Sequence, residues 1–130
     1  MAPDAPEFLV GATADPLFGP VVALGAGGTL AELVRDVAFR VAPLTPQDAA
    51  DMANEIRAAR LLRGFRGAQP RDERALLAVV TAVARLVNAC PEIAELDLNP
   101  VRVYASGALV LDARVRVAPV AARPSMHVEY

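Results

Sequence analysis

The run AELDLNPVRVYASGALVLDARVRV, residues 94–117, decides the fold. Ala94, Leu96 and Leu98 alternate with Glu95, Asp97 and Asn99, and Leu109, Leu111, Ala113, Val115 and Val117 alternate with Asp112, Arg114 and Arg116. One apolar and one polar parity at period two marks half-buried strands. Val101 to Tyr104 and Ala108 to Leu111 flank Ala105-Ser106-Gly107. That spacing predicts a three-residue hairpin loop with its glycine in the left-handed region.

Upstream, the pattern changes period. Thr45-Pro46-Gln47-Asp48 sets a hydroxyl at the N-cap, proline at the first helical position and an acid at the positive end of the helix dipole. A helix is predicted from there to about Arg60, with Ala49, Met52, Ala53 and Ile56 inward. Leu61 to Gln69, with Gly64 and Gly67, reads as a loop. A second helix follows Pro70, its apolar stripe formed by Leu76, Leu77, Val80, Val83, Ala84 and Val87, and Pro91 stops it.

Further upstream, EFLVGATA (Glu7 to Ala14) reads as a strand, Asp15-Pro16 as a turn, Val21 to Leu24 as a short strand and Gly25 to Gly28 as a turn. Thr29 to Val34 contains helix formers. Yet Ala31, Leu33, Val37, Phe39 and Val41 share one parity, and Glu32, Asp36 and Arg40 the other. That favours one long strand bulged at Arg35. The order of elements predicts an α+β fold, a mainly antiparallel sheet with two helices packed on one face. Residues 1–6 read as a flexible arm, 7–117 as the folded lobe and 118–130 as a tail.

A chain of 130 residues that is 55% hydrophobic and 22% charged has the composition of one globular core. It contains no long uncharged apolar run and no signal-peptide layout, so a soluble cytoplasmic protein without membrane contact is expected. The lone Cys90 excludes an internal disulfide and is expected to be buried and structural. All 13 cations are arginine, lysine being absent, and no basic stripe with interleaved aromatics supports nucleic-acid binding. Gly25 to Gly28 lacks the spacing of a dinucleotide fingerprint, and no Gly-Lys-Ser/Thr is present for a P-loop. His127 lies in the tail and Glu32 on a polar parity; neither is expected to be catalytic.

Asp97 and Asn99, two apart on one strand, project from one face. The expected hairpin register, Val103 opposite Leu109, returns Asp112 beside Pro100, about one residue step from Asn99. Two carboxylates and an amide carbonyl form a hard oxygen set suited to Mg²⁺. The same three residues are also what the wet face of an amphipathic sheet presents, and pattern alone favours that plainer reading.

Five segments carry a resemblance: DPLFGPVVALGAGG (Asp15 to Gly28), DVAFRVAPL (Asp36 to Leu44), LLRGFRG (Leu61 to Gly67), PEIAELDLNPV (Pro91 to Val101) and LDARV (Leu111 to Val115). In this order they resemble the C-terminal lobe of the ATP-grasp domain in NDP-forming acyl-CoA synthetases. These include ADP-forming acetyl-CoA synthetases and related protein lysine acetyltransferases, and more distantly the succinyl-CoA synthetase β subunit. The resemblance implies that Asp97, Asn99 and Asp112 hold the Mg²⁺ that bridges ATP or ADP phosphates. It assigns no catalytic side chain to this segment, and it implies a family reaction that passes a phosphoryl group between nucleotide and a histidine on the way to acyl phosphate and acyl-CoA. The implied partners are a nucleotide, an N-terminal ATP-grasp lobe carrying the phosphate-binding lysine, and a CoA-binding domain or subunit. His127 falls outside the matching segments and does not inherit the phosphohistidine role.

Two functions follow as expectations. The first is a metal- and phosphate-binding lobe, incomplete on its own. The second is a truncated ATP-grasp module that regulates or binds other proteins without catalysis.

Overall fold

The structure is a computed structural model, describing residues 5–28 and 35–119. Among the described residues there are six strands and two α-helices: β1 (Glu7–Asp15), β2 (Gly19–Ala26), β3 (Val37–Val41), α1 (Pro46–Glu55), α2 (Glu73–Ala89), β4 (Ile93–Val103), β5 (Ala108–Val110) and β6 (Ala113–Val117). The strands make one antiparallel sheet in the order β3-β2-β1-β4-β5, with β6 also on β4. One face is covered by the helices through Phe8, Val10, Val22 and Leu24 from the sheet and Met52, Leu76 and Val80 from the helices, each fully buried. Fold class and helix stripes match the α+β expectation. No described helix is long and apolar enough to cross a membrane.

α1 begins as its sequence demands. Asp48 N–H donates to Thr45 Oγ1 at 3.1 Å, and Thr45 N–H donates back to Asp48 Oδ2 at 2.8 Å. This reciprocal box holds the Asp48 carboxyl below its ordinary range, chiefly through the Thr45 backbone hydrogen bond. The helix stops at Glu55, short of the expected Arg60. Ile56 turns extended, and a 3₁₀ segment runs from Arg57 to Leu62. The cause is Asp36, a buried carboxylate that accepts the N–H groups of Arg57 at 2.8 Å and Ala58 at 2.7 Å. The expected loop is also partly ordered, with Phe65–Gly67 as a second 3₁₀ turn and Leu62 buried.

Four other expectations change. Gly25 and Ala26 lie within β2, so the glycine run extends a strand instead of turning it. A Cβ on Gly27 would sit 2.4 Å from the Phe8 carbonyl carbon, so glycine there permits close approach of backbones. β3 begins only at Val37, and Arg35 is left-handed at φ 53, which interrupts the predicted long strand; residues 29–34 and Glu32 with them lie outside the described residues, as do residues 120–130 and His127. Cys90 is partly exposed where α2 ends, not buried. At the start of the chain, Ala5 is buried and Val103 N–H donates to the Pro6 carbonyl at 3.1 Å.

The hairpin is one residue tighter than its spacing suggests. Tyr104 N–H donates to the Gly107 carbonyl at 2.9 Å, leaving Ala105 and Ser106 at the tip with Gly107 left-handed at φ 88. Val103 therefore faces Ala108, not Leu109. The ladder stays in that register through the break between β5 and β6, where Leu111 N–H donates to the Pro100 carbonyl at 3.0 Å and Asn99 N–H to the Asp112 carbonyl at 3.1 Å. The break falls where Pro100 has no N–H to return.

Candidate functional site

The corrected register sets the site. Asn99 faces Asp112 directly, and Leu98 faces Ala113. Directly opposed residues of an antiparallel pair share a face. Asp97 is opposite Arg114, so Asp97 and Asp112 are diagonal neighbours, about 7–8 Å apart in such pairs and somewhat less between Cβ atoms. All three predicted residues thus stand on the helix-free face of the sheet. Asn99 Oδ1 accepts the Gly28 N–H at 3.0 Å, leaving its second lone pair for another partner. Asp112 is half exposed, with Arg114 Nε 3.7 Å from its Oδ2.

Rows of paired residues cross that face. One reads Phe39, Ala23, Gly11, Asp97, Arg114, and the next reads Val41, Val21, Thr13, Glu95, Arg116. Each row is apolar on β3 and β2 and charged on β4 and β6. Most of these residues line an open groove of about 510 Å³, within the size range of small-ligand sites. Gly11 leaves the floor beside Asp97 without a side chain, and a Cβ there would press on the Leu96 carbonyl oxygen at 3.1 Å. Sequence reading missed Gly11 and the groove, because their placement depends on a pairing between strands at opposite ends of the chain.

Among the described residues no three His, Cys, Asp or Glu side chains gather as a metal cluster. The oxygen set is smaller, two carboxylates with one amide, which suits an ion that keeps waters and takes further ligands from phosphates. By that measure the side chains fit Mg²⁺ better than a transition metal, which would draw on histidine or thiolate.

The ATP-grasp domain family matches residues 1–117. The chain belongs to the ATP-grasp family. This ATP-grasp chain is 44% identical over 115 residues to the β subunit of acetate–CoA ligase [ADP-forming] I from Pyrococcus furiosus, covering 88% of this chain and 50% of that subunit. It is 44% identical over 109 residues to acetate–CoA ligase [ADP-forming] I of Archaeoglobus fulgidus, covering 84% of this chain and 16% of that protein. A solved dinucleotide-forming acetyl-coenzyme A synthetase 1 from Ca. Korarchaeum cryptofilum, in complex with coenzyme A and Mg-AMPPCP, superposes with a TM-score of 0.86 at 47% identity, covering 91% of this chain and 55% of that one. The ATP-grasp chain thus spans half or less of the length of these two ligases.

A second polar cluster sits away from the groove. Asp72 caps α2 by accepting Ala75 N–H at 3.0 Å, and its other oxygen accepts the hairpin's Gly107 N–H at 2.7 Å. These bonds, the one from Gly107 first, hold its carboxyl below the ordinary range. Its role in the ATP-grasp lobe is to tie the β4–β5 turn to the helix layer.

Proposed function

We propose that this chain is the metal- and phosphate-binding lobe, spanning residues 7–117, of an NDP-forming acyl-CoA synthetase, and that it does not turn over alone. Asp97, Asn99 and Asp112 hold the Mg²⁺ of ATP or ADP. The observation that carries this reading is the opposition of Asn99 and Asp112 across the ladder, with Asp97 on the same face at the charged end of a groove. Bound there, Mg²⁺ would neutralise phosphate charge during phosphoryl transfer. The chain's own residues orient and hold: the two carboxylates and the amide fix the ion, Gly28 fixes the amide, and Gly11 keeps the floor open. The phosphate-binding lysine, the adenine pocket and the CoA site would come from an N-terminal ATP-grasp lobe and a CoA-binding domain or subunit.

Calorimetry tests this. Mg-ATP titrated into the chain alone should give little heat. With a separately expressed N-terminal lobe of an ADP-forming relative it should bind, and Asp112→Ala should lower affinity by about tenfold or more, the usual effect of losing a charged contact. Silence in both titrations would sink the proposal. It would favour the second reading, a non-catalytic interaction module, which draws on the exposed Leu109, Leu111, Val115 and Val117 at one sheet edge.

A further inference from the structure

Arg114 is a neighbour of both carboxylates. It is paired with Asp97 across the ladder, its Nε is 3.7 Å from Asp112 Oδ2, and its side chain is 81% exposed. That separation is too long for a hydrogen bond. The neighbouring arginines on the same face are held more firmly: Arg102 donates to Glu7 at 2.8 Å and Arg116 to Glu95 at 3.1 Å. Arg114 is therefore the cation of this face that can leave its carboxylate at least cost.

We propose that Arg114 is an exchange residue of the nucleotide site: it neutralises Asp112 while the site is empty and moves to a nucleotide phosphate when the metal takes the carboxylates. This rests on the metal assignment of the preceding section and adds a phosphate ligand to it. Charge favours such a ligand beside the lysine that the N-terminal lobe would bring. One Mg²⁺ only balances Asp97 and Asp112, so the phosphates bring an excess of negative charge to a face whose chain contains no lysine. Arg114 lines the groove, and the planar fork of a guanidinium released from Asp112 suits two phosphate oxygens at once.

The exchange predicts opposite signs for two ligands. Arg114→Gln should tighten Mn²⁺ binding to the chain alone by about two- to fivefold, since an exposed ion pair no longer competes. It should weaken Mg-ADP binding, measured with the N-terminal lobe supplied, by about tenfold or more. Arg114→Lys should recover part of the second effect and keep the competition with Mn²⁺. At so exposed a position the variants should fold as the parent does, which circular dichroism verifies. Unchanged Mg-ADP affinity in Arg114→Gln, with Asp112→Ala still impaired, would overturn the exchange and leave the metal assignment standing. Asp112→Ala binding both ligands as the parent does would overturn both.

Discussion

Asp72 shows what one side chain contributes when it serves two elements. Its carboxylate accepts from α2 and from the hairpin tip, and both bonds favour the charged form. The folded chain therefore releases this proton at lower pH than the unfolded chain, whose aspartates titrate near about 3.9. Its stabilisation is complete above that value and fades as pH falls through the lower folded value. Asp72→Ala should lower the thermal midpoint at neutral pH, and the gap from the parent should close in strongly acidic buffer. An unchanging gap from neutral to acid pH, followed by differential scanning calorimetry, would contradict the assignment. Parity alone put Asp97 and Asn99 on one face of a strand, while their reading as metal ligands with Asp112 came from the family resemblance. Asp72 and Asp36 were not legible, because their partners lie 35 and about 21 residues away.

At the scale of elements, local rules succeeded where a helix or strand is decided by its own residues. The Thr45 box, the α2 stripe and the alternation in β4 all formed as their spacing demanded. They failed where a distant group intervenes. Asp36 ends α1 early by capturing the Arg57 and Ala58 N–H groups, and Phe8 decides why Gly27 must be glycine. The hairpin register moved by one because Tyr104 joins the ladder, a choice Ala105-Ser106-Gly107 does not make visible. Gly27→Ala should cost about 1–3 kcal/mol in urea denaturation, as overpacking of a close backbone contact does. Gly107→Ala, with open space around it, should be penalised by the left-handed backbone alone, which is about 1 kcal/mol. Equal stability of the parent and Gly27→Ala would remove the close-approach argument.

For the whole molecule, the sheet has two unequal faces and, among the described residues, two margins without a partner strand. Helices bury one face; the other keeps Phe39 60% exposed beside the charged rows. The margins expose Val41 on β3 and Val115 and Val117 on β6. Unpaired backbone beside apolar side chains invites pairing with another sheet. In sedimentation velocity the isolated chain should associate as concentration rises toward roughly millimolar, where exposed edges meet often enough to pair. Val115→Lys should hold it monomeric. A strictly monomeric parent over that range would show that the margins are protected. The class of the fold was readable from the order of patterned segments. The groove was not, because no local rule sets which strands become neighbours.

The centre of the sheet has a consequence in time. β1 pairs with β4, matching Glu7 to Arg102 and Thr13 to Glu95, so its middle seam is closed by the two ends of the lobe. A ribosome must therefore release nearly all of these residues before that seam can form. Until then β1, β2 and β3 can join only as a meander whose β1 side has no partner strand. Pairings of such long sequence separation slow folding, toward the millisecond-to-second range of sheet-rich domains. The nascent lobe is thus most exposed to misassembly late in its synthesis, when α2 is complete and β4 has not yet emerged.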